Sequence, residues 1–309
     1  MAGMTEGRIV SFINMKGGVG KTTSSITLAE TSASEYGWKV LVVDLDAQAS
    51  ASYAVLGPER YEEEVAAERT LAHFFDAVAE TGQPQRPLAG YVAHVAHVDY
   101  DGGAGAPIDV ICAEPGLRYT ERALIERYYR LRMKRVVTAS APEGQTRRIM
   151  REGLGGLREI YDLIVIDCPP GISLFAEAGV ACSDLIVLPT IPDYLSTLGL
   201  KELNRKFLRQ LRRDGNLSGR TAILPTKVRR GDATHTAYLK KLDAMVRTGE
   251  IEAAFLDSMI AQSADIARAL DDEHLGESFK DKYGNVREDL IEFASEIRGL
   301  LEDGLANAA

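Results

Sequence analysis

Residues 9–23, Ile9-Val10-Ser11-Phe12-Ile13-Asn14-Met15-Lys16-Gly17-Gly18-Val19-Gly20-Lys21-Thr22-Thr23, decide how the rest of the chain is read. Ile9, Val10, Phe12 and Ile13 form a short, mostly apolar run of β-prone residues. A glycine- and lysine-rich octet follows at once, and Ile26, Leu28 and Ala29 then recur at helical spacing. Strand, glycine-rich turn and helix together make a cradle for a phosphate chain. Backbone N–H groups from Gly17 to Thr22 converge on anionic oxygens, and the helix N-terminus adds the positive end of its dipole. Glycine is needed where the backbone must approach a phosphate with no Cβ in the way. In such a loop Lys21 reaches the β- and γ-phosphates, Thr22 ligates Mg²⁺, and Thr23 lies by the α-phosphate.

Outward from this loop, short apolar strands alternate with helical patterns, which predicts a mostly parallel, twisted α/β sheet flanked by helices on both faces. Besides the first strand, strands are expected at Val40–Asp44, Ile108–Cys112, Leu163–Asp167, Leu185–Leu188 and Ala222–Leu224. Helices are expected at Thr22–Tyr36, Thr70–Glu80, Gly144–Ile160, Ser173–Cys182, Ser196–Arg213, Ala233–Val246 and Val286–Leu301. Two strands end in acid, Val42-Val43-Asp44-Leu45-Asp46 and Ile164-Val165-Ile166-Asp167. In a parallel sheet those carboxylates lie at the C-terminal edge, where ligands bind.

The 309 residues, 45% of them hydrophobic, suffice to bury a full core, and one domain spanning 1–309 is expected. Residues 57–107 are read as a variable insertion, because Gln83 to Pro107 breaks the rhythm with Pro84, Pro87 and a Gly-Gly-Ala-Gly-Ala-Pro run. No stretch has the ~18–20 apolar residues of a membrane span, and no signal peptide opens the chain. Cys112, Cys168 and Cys182 lack C-x-x-C spacing, which suits a reducing cytoplasm. His94 and His97 form H-x-x-H inside an apparent β run, Tyr91–Val98, where alternation sends them to opposite faces.

Net charge is −9, which does not predict a nucleic-acid partner for the whole molecule. Locally the balance inverts. Residues 201–230 hold ten basic side chains (Lys201, Arg205, Lys206, Arg209, Arg212, Arg213, Arg220, Lys227, Arg229 and Arg230) against Glu202 and Asp214. On a continuous helix Leu200, Leu203, Phe207 and Leu211 share one face, while Lys201, Arg205, Arg209 and Arg212 form an opposite, solvated ridge for DNA phosphates. An alternative footprint is Lys227, Arg229 and Arg230. A second basic run, Arg118 to Arg135, reads either as a solvated helix face or as another DNA-facing surface.

The octet Lys16-Gly17-Gly18-Val19-Gly20-Lys21-Thr22-Thr23 departs from G-x-x-x-x-G-K-[ST] at Met15 and carries a second lysine, Lys16. In this it resembles the deviant Walker A ATPases of the ParA/MinD family, over roughly residues 8–56 and 108–300. The resemblance implies a P-loop NTPase fold, ATP and Mg²⁺ as cofactors, and slow hydrolysis by positioning and charge neutralisation. It makes Lys16 a residue that reaches the partner's phosphates in a face-to-face homodimer. Asp46 matches the aspartate that orients the attacking water. Asp44 matches the acid beside the Mg²⁺ shell, and Ala47 replaces the usual proline after Asp46. Asp167 corresponds to the Walker B acid on Mg²⁺, and Pro169-Pro170-Gly171 to the second switch. Thr226 and Lys227 fall where adenine is usually read, and Ile260-Ala261-Gln262 stands where I-P-R is usual.

The implied function is an ATP-dependent positioning switch. An ATP-bound dimer binds DNA without sequence preference, and a ParB-like or other adaptor accelerates hydrolysis to release it, in the cytoplasm and on the nucleoid. With the loop so near the first residue, no helix-turn-helix extension is expected ahead of it. Two other readings compete. A MinD-like membrane switch needs a basic C-terminal helix, whereas residues 285–305 carry six acids against two arginines. A metabolic or reductase ATPase of the same superfamily is the other.

Overall fold

The computed structural model describes residues 6–95, 99–100, 103–104, 106–134, 141–271 and 277–306. Its strands are β1 (Arg8–Phe12), β2 (Val40–Asp44), the two-residue pair β3 (Asp99–Tyr100) and β4 (Gly103–Ala104), β5 (Ile108–Ile111), β6 (Leu163–Asp167), β7 (Leu185–Thr190), β8 (Arg220–Val228), β9 (Ala254–Phe255) and β10 (Ile260–Ala261). Its helices are α1 (Lys21–Tyr36), α2 (Ser50–Leu56), α3 (Pro58–Ala66), α4 (Leu71–Thr81), α5 (Leu117–Met133), α6 (Pro142–Leu157), α7 (Leu174–Cys182), α8 (Tyr194–Leu203), α9 (Arg209–Arg213), α10 (Ala233–Arg247), α11 (Ala264–Arg268), α12 (Phe279–Tyr283) and α13 (Arg287–Ala306).

The main sheet runs β10-β8-β7-β1-β6-β2-β5, with β9 also on β8, and every pairing in it is parallel. Strands β2, β5, β6 and β7 are buried at every residue, which is why β2, β6 and β7 read as apolar runs rather than alternating ones, while the one acid inside β5, Asp109, is held by His94 and Tyr161. Helices cover both faces: α1 packs with α12 and α13, and α6 packs with α7, beside α4 and α5. The chain leaves β1 for β2 on one side and, after β6, reaches β7 on the other. The order thus reverses beside β1, and ligands bind at such a reversal. In register, Phe12 and Asp44 both stand opposite Asp167, so the loop after β1 and the acids of β2 and β6 share one edge.

The helices expected from periodicity form within a few residues of their limits, and several carry the caps their sequences offer. Thr70, Ser173 and Asp232 each accept a backbone N–H at the start of α4, α7 and α10. Residues 58–81 fall within the expected insertion but form α3 and α4, whose Phe74 and Phe75 enter the core. Tyr91–Val98 is no strand over its described part. A 3₁₀ turn ends at Tyr91, and Ala93 makes one antiparallel bridge to Val110. His94 bonds Asp109 at 2.9 Å, while His97 and Arg135 lie outside the described residues. The expected single helix Ser196–Arg213 is interrupted by a π-helical turn at Asn204–Leu208. Its apolar side still holds, with Leu200, Leu203, Phe207 and Leu211 all buried.

Candidate functional site

The loop after β1 is braced from below. Buried Asn14 donates to the Pro189 carbonyl at 2.7 Å and accepts the Lys16 N–H at 3.0 Å, while the Asn14 carbonyl takes the Gly171 N–H. One residue thus ties the phosphate loop to β7 and to the segment after β6. Gly18 and Gly20 have φ of 72° and 87°, a left-handed backbone that favours glycine. Thr226 Oγ1 donates to the Val19 carbonyl at 2.7 Å and so fixes the loop from β8. The N–H groups of Gly17, Gly18, Val19 and Gly20 make no hydrogen bond to described residues and are free to hold an anion.

Lys21 is buried, its Nζ 3.3 Å from the Lys16 carbonyl. Burial lowers its pKa, against the pull of Asp167 and Asp46. Thr22 Oγ1 donates to Asp167 Oδ2 at 2.6 Å, and the other oxygen of Asp167 is buried without a partner. Burial, together with the charge of Asp44, pushes the Asp167 carboxyl up to about 8, against the hydrogen bond from Thr22 and the charge of Lys21. Burial also raises Asp44 to about 6. A buried carboxylate pair with an orphaned oxygen favours a divalent cation. Among the described residues no three His, Cys, Asp or Glu side chains form a complete metal cage. The orphaned oxygen of Asp167 and the Thr22 hydroxyl beside it suit Mg²⁺, which keeps several waters and takes its remaining ligands from one or two carboxylates and from phosphate.

Asp44 proves to be an anchor. Its Oδ1 accepts the Asp46 N–H at 3.0 Å, and its Oδ2 accepts both the N–H and the hydroxyl of Ser52, at 2.9 and 2.8 Å. It therefore ties the Asp46–Ser52 segment to the end of β2, and Ser52 is a site residue the sequence reading missed. Asp46 itself is half-buried and accepts the Gln48 N–H. The segment turns into α2 through Ala49, whose φ is 56°.

Lys16 does not enter its own cradle. Its Nζ lies 3.4 Å from Asp193 Oδ2 and 3.3 Å from Ser196 Oγ, and its side chain is 39% exposed. Asp193 also caps α8, its Oδ1 accepting the Ser196 N–H at 2.6 Å. This pair, too, escapes the sequence reading, although Asp193-Tyr194-Leu195-Ser196 is legible as a helix start. The exposed apolar side chains Met15, Ile172, Tyr194, Leu195 and Leu198 sit in the segments that surround Lys16.

Thr226 and Lys227 part company in the structure. Thr226 is buried and supports the phosphate loop, whereas Lys227 is exposed with φ of 51°. Beside them opens a cavity of about 1050 Å³ lined by Val228, Arg229, Gln262, Asp265, Asn285 and Asp289. Arg229 Nε donates to Gln262 Oε1 at 2.8 Å, so the residue that stands where arginine was expected is held by an arginine just past the end of β8.

The expected solvated ridge of Lys201, Arg205, Arg209 and Arg212 is not formed. The π turn rotates the second half of the helix, and acids distant in sequence meet the cations. Lys201 pairs with Glu250 at 2.6 Å, and Arg209 pairs with Glu252 at 3.0 Å and donates to the Gly249 and Glu250 carbonyls. Arg212 folds inward onto the Gly219 carbonyl and Thr221 Oγ1, where desolvation lowers its pKa. Arg205 and Lys206 share Glu202, and Arg230 pairs with Asp289. Only Arg205, Lys206, Arg213, Arg220, Lys227, Arg229 and Arg230 of this cluster are exposed.

Residues 7–218 match a family described as AAA domain. The chain is 29% identical over 202 residues to the chromosome partitioning protein ParA of Myxococcus xanthus, an alignment covering 64% of this chain and 57% of that protein. Across three such relatives the aligned part spans 49% to 62% of their own length. Among solved structures, apo McdA from Cyanothece superposes with a TM-score of 0.67 at 16% identity, covering 95% of this chain and 99% of that one. Cobyrinic acid a,c-diamide synthase from Mycobacterium smegmatis, with bound ADP and magnesium, superposes with a TM-score of 0.65 at 19% identity, covering 96% of each chain. At these identities the likeness is one of fold.

Proposed function

The chain belongs to the AAA domain family and, within it, to the ParA/MinD-type P-loop ATPases, and from that premise we propose that it is a Mg²⁺-dependent ATPase that works as a DNA-bound positioning switch. Gly17 to Thr23 hold the phosphates, Lys21 neutralises their charge, and Thr22 with Asp167 holds the cation, whose chemistry is to stabilise charge on the leaving oxygens. Asp46 orients water. Asp44 keeps the segment carrying Asp46 in place.

One observation carries the reading beyond ATP binding: Lys16, the second loop lysine, faces outward from its own site within an exposed apolar rim. A cation so placed serves a second copy docked face to face, where it stabilises transferred-phosphoryl charge as an arginine finger does. Such a dimer holds DNA without sequence preference, is confined to the nucleoid by doing so, and is released when an adaptor accelerates hydrolysis. Among the described residues no helix is long and apolar enough to cross a membrane. The acids Glu288, Asp289, Glu292, Glu296 and Glu302 on α13 oppose attachment to anionic lipid.

Sedimentation velocity with MgATP, MgADP or no nucleotide tests the switch. A dimer in MgATP alone, with duplex DNA co-sedimenting only in that state, supports it. A monomer in all three conditions overturns it and favours an ATP-using synthetase instead.

A further inference from the structure

The fold separates two basic segments that look alike in sequence. Of the six cations of 201–213, five are met by Glu202, Glu250 and Glu252 or turned inward, and Arg213 alone stands exposed without an acid partner among the described residues. Most of those at α5 are not, Arg127 being the one turned onto the end of α4. Arg118, Arg130, Arg132 and Lys134 make no ion pair with described residues, and only Arg122 has an acid partner, the exposed Glu126 at 2.8 Å. The remaining acid of the helix, Glu121, is turned onto the Leu174 N–H at 2.7 Å.

The inward side of α5 is fully occupied. Leu117, Thr120 and Leu124 are buried, Thr120 Oγ1 donates to Asp76, and Arg127 donates to the Ala79 and Glu80 carbonyls at the end of α4. The outward side carries Arg118, Arg122, Tyr129 and Arg132 along one stripe, with Tyr119, Arg130 and Met133 beside it. From Arg118 to Arg132 the stripe runs about 21 Å along the helix. Phosphate contacts on nucleic acids come from such arginines and from tyrosine hydroxyls.

The stripe also begins at the nucleotide site. Arg118 lines a crevice of about 180 Å³ together with Asp46, Ala47, Glu121, Pro169 and Pro170. On its other side Arg118 and Arg122 border a hollow of about 500 Å³ against Gln48, Tyr53, Tyr61 and Tyr119. The segments after β2 and β6, which flank the phosphate loop, therefore both border a crevice shared with the start of α5.

We infer that the exposed arginine–tyrosine face of α5 is the principal contact with the phosphate backbone of duplex DNA, and that nucleotide reaches it through Arg118. This rests on the DNA-binding function proposed above and moves its footprint from the 201–213 segment to α5. Unpaired arginines on a chain of net charge −9 gain most from phosphates, because no acid among the described residues pairs with Arg118, Arg130 or Arg132. Ile125 and Met133 share the exposed part of the helix, which makes a protein partner the competing occupant.

The test is fluorescence anisotropy of a mixed-sequence duplex in MgATP, titrated with wild type, with the triple variant Arg122→Gln/Arg130→Gln/Arg132→Gln, and with Arg205→Gln/Lys206→Gln/Arg213→Gln. All six positions are exposed, and unchanged thermal melting confirms folding. The α5 variant is expected to lose about tenfold or more in affinity at low salt, its salt slope falling by about 0.9 per contact removed. The 205/206/213 variant is expected to lose less. If wild type binds DNA and the α5 variant binds equally well with the same slope, the assignment is overturned. It is overturned equally if that variant keeps DNA but loses stimulation by a partner protein. If wild type itself ignores DNA, the DNA-bound switch fails first and takes the α5 footprint with it.

Discussion

Lys16 Nζ stands 3.4 Å from Asp193 Oδ2, so the loop lysine expected to act on a second subunit is held by the cap of α8 on its own. Both side chains are more than a third exposed, and such pairs contribute at most about 1 kcal/mol. The contact is therefore a parking place that a competing phosphate can empty. Asp193→Asn keeps the helix cap but removes the charge. It should raise unstimulated hydrolysis and lower the concentration needed for dimerisation, by up to about fivefold. Identical rates and midpoints in the variant would show that the contact restrains nothing.

Lys16 and Lys21 should separate cleanly when each is removed. Lys21→Ala is expected to weaken nucleotide binding roughly 10–100-fold, the worth of a charge-assisted hydrogen bond. Its melting temperature should stay level or rise, because a buried cation has gone. Lys16→Ala should bind nucleotide as wild type does yet fail to hydrolyse it. Calorimetric titration and a phosphate-release assay distinguish the two, and a Lys16→Ala protein with normal turnover would leave the outward lysine without a role.

Asp46→Ala should trap the ATP-bound dimer, since the carboxylate that orients water is lost while Lys16, Lys21 and Thr22 remain. Size-exclusion chromatography after prolonged incubation with MgATP reads the outcome directly. A variant that returns to monomer at the wild-type rate argues for another water-orienting group.

Asp167 links stability to pH. Its carboxyl is raised to about 8 in the folded chain, whereas an unfolded aspartate titrates near about 3.9. Between those values the native state holds a proton the unfolded state has lost, so stability falls as pH rises through about 4 to 8. Asp44, raised to about 6, adds to the fall in the lower part of that window. Glu64 and Asp193, whose pKa values are lowered, act only at lower pH. Nucleotide-free protein should thus melt several degrees lower at about pH 8 than at about pH 5. Asp167→Asn should flatten that dependence, and MgATP should offset it. A melting temperature indifferent to pH over this range would refute the burial of charge.

Ser52→Ala removes one hydroxyl that donates to the buried Asp44 carboxylate and accepts the Ala113 N–H. The expected cost is about 1–3 kcal/mol of unfolding free energy, with hydrolysis reduced further because the Asp46 segment loosens. Urea denaturation beside a turnover assay checks both, and an unchanged midpoint would remove Ser52 from the site.

What the sequence determined by itself was everything governed by local pattern. The run Ile9–Ile13, the octet Lys16–Thr23 and the two acid-terminated strands dictate a parallel sheet with a phosphate loop, because buried strands need unbroken apolar runs and close backbone approach needs glycine. Thr70, Ser173 and Asp232 mark helix starts that form where they stand. What only the tertiary structure decided was where side chains find partners far along the chain. Asn14 meets Pro189, Lys16 meets Asp193, and Lys201 and Arg209 meet Glu250 and Glu252, none of which a neighbouring residue announces. The π turn at Asn204–Leu208 likewise undoes a ridge that simple helical spacing constructs. Charge counted along a sequence is a local sum, whereas the charge a ligand meets is what remains after the fold has paired it, and Arg118, Arg130 and Arg132 of α5 are among the cations left without an acid partner among the described residues.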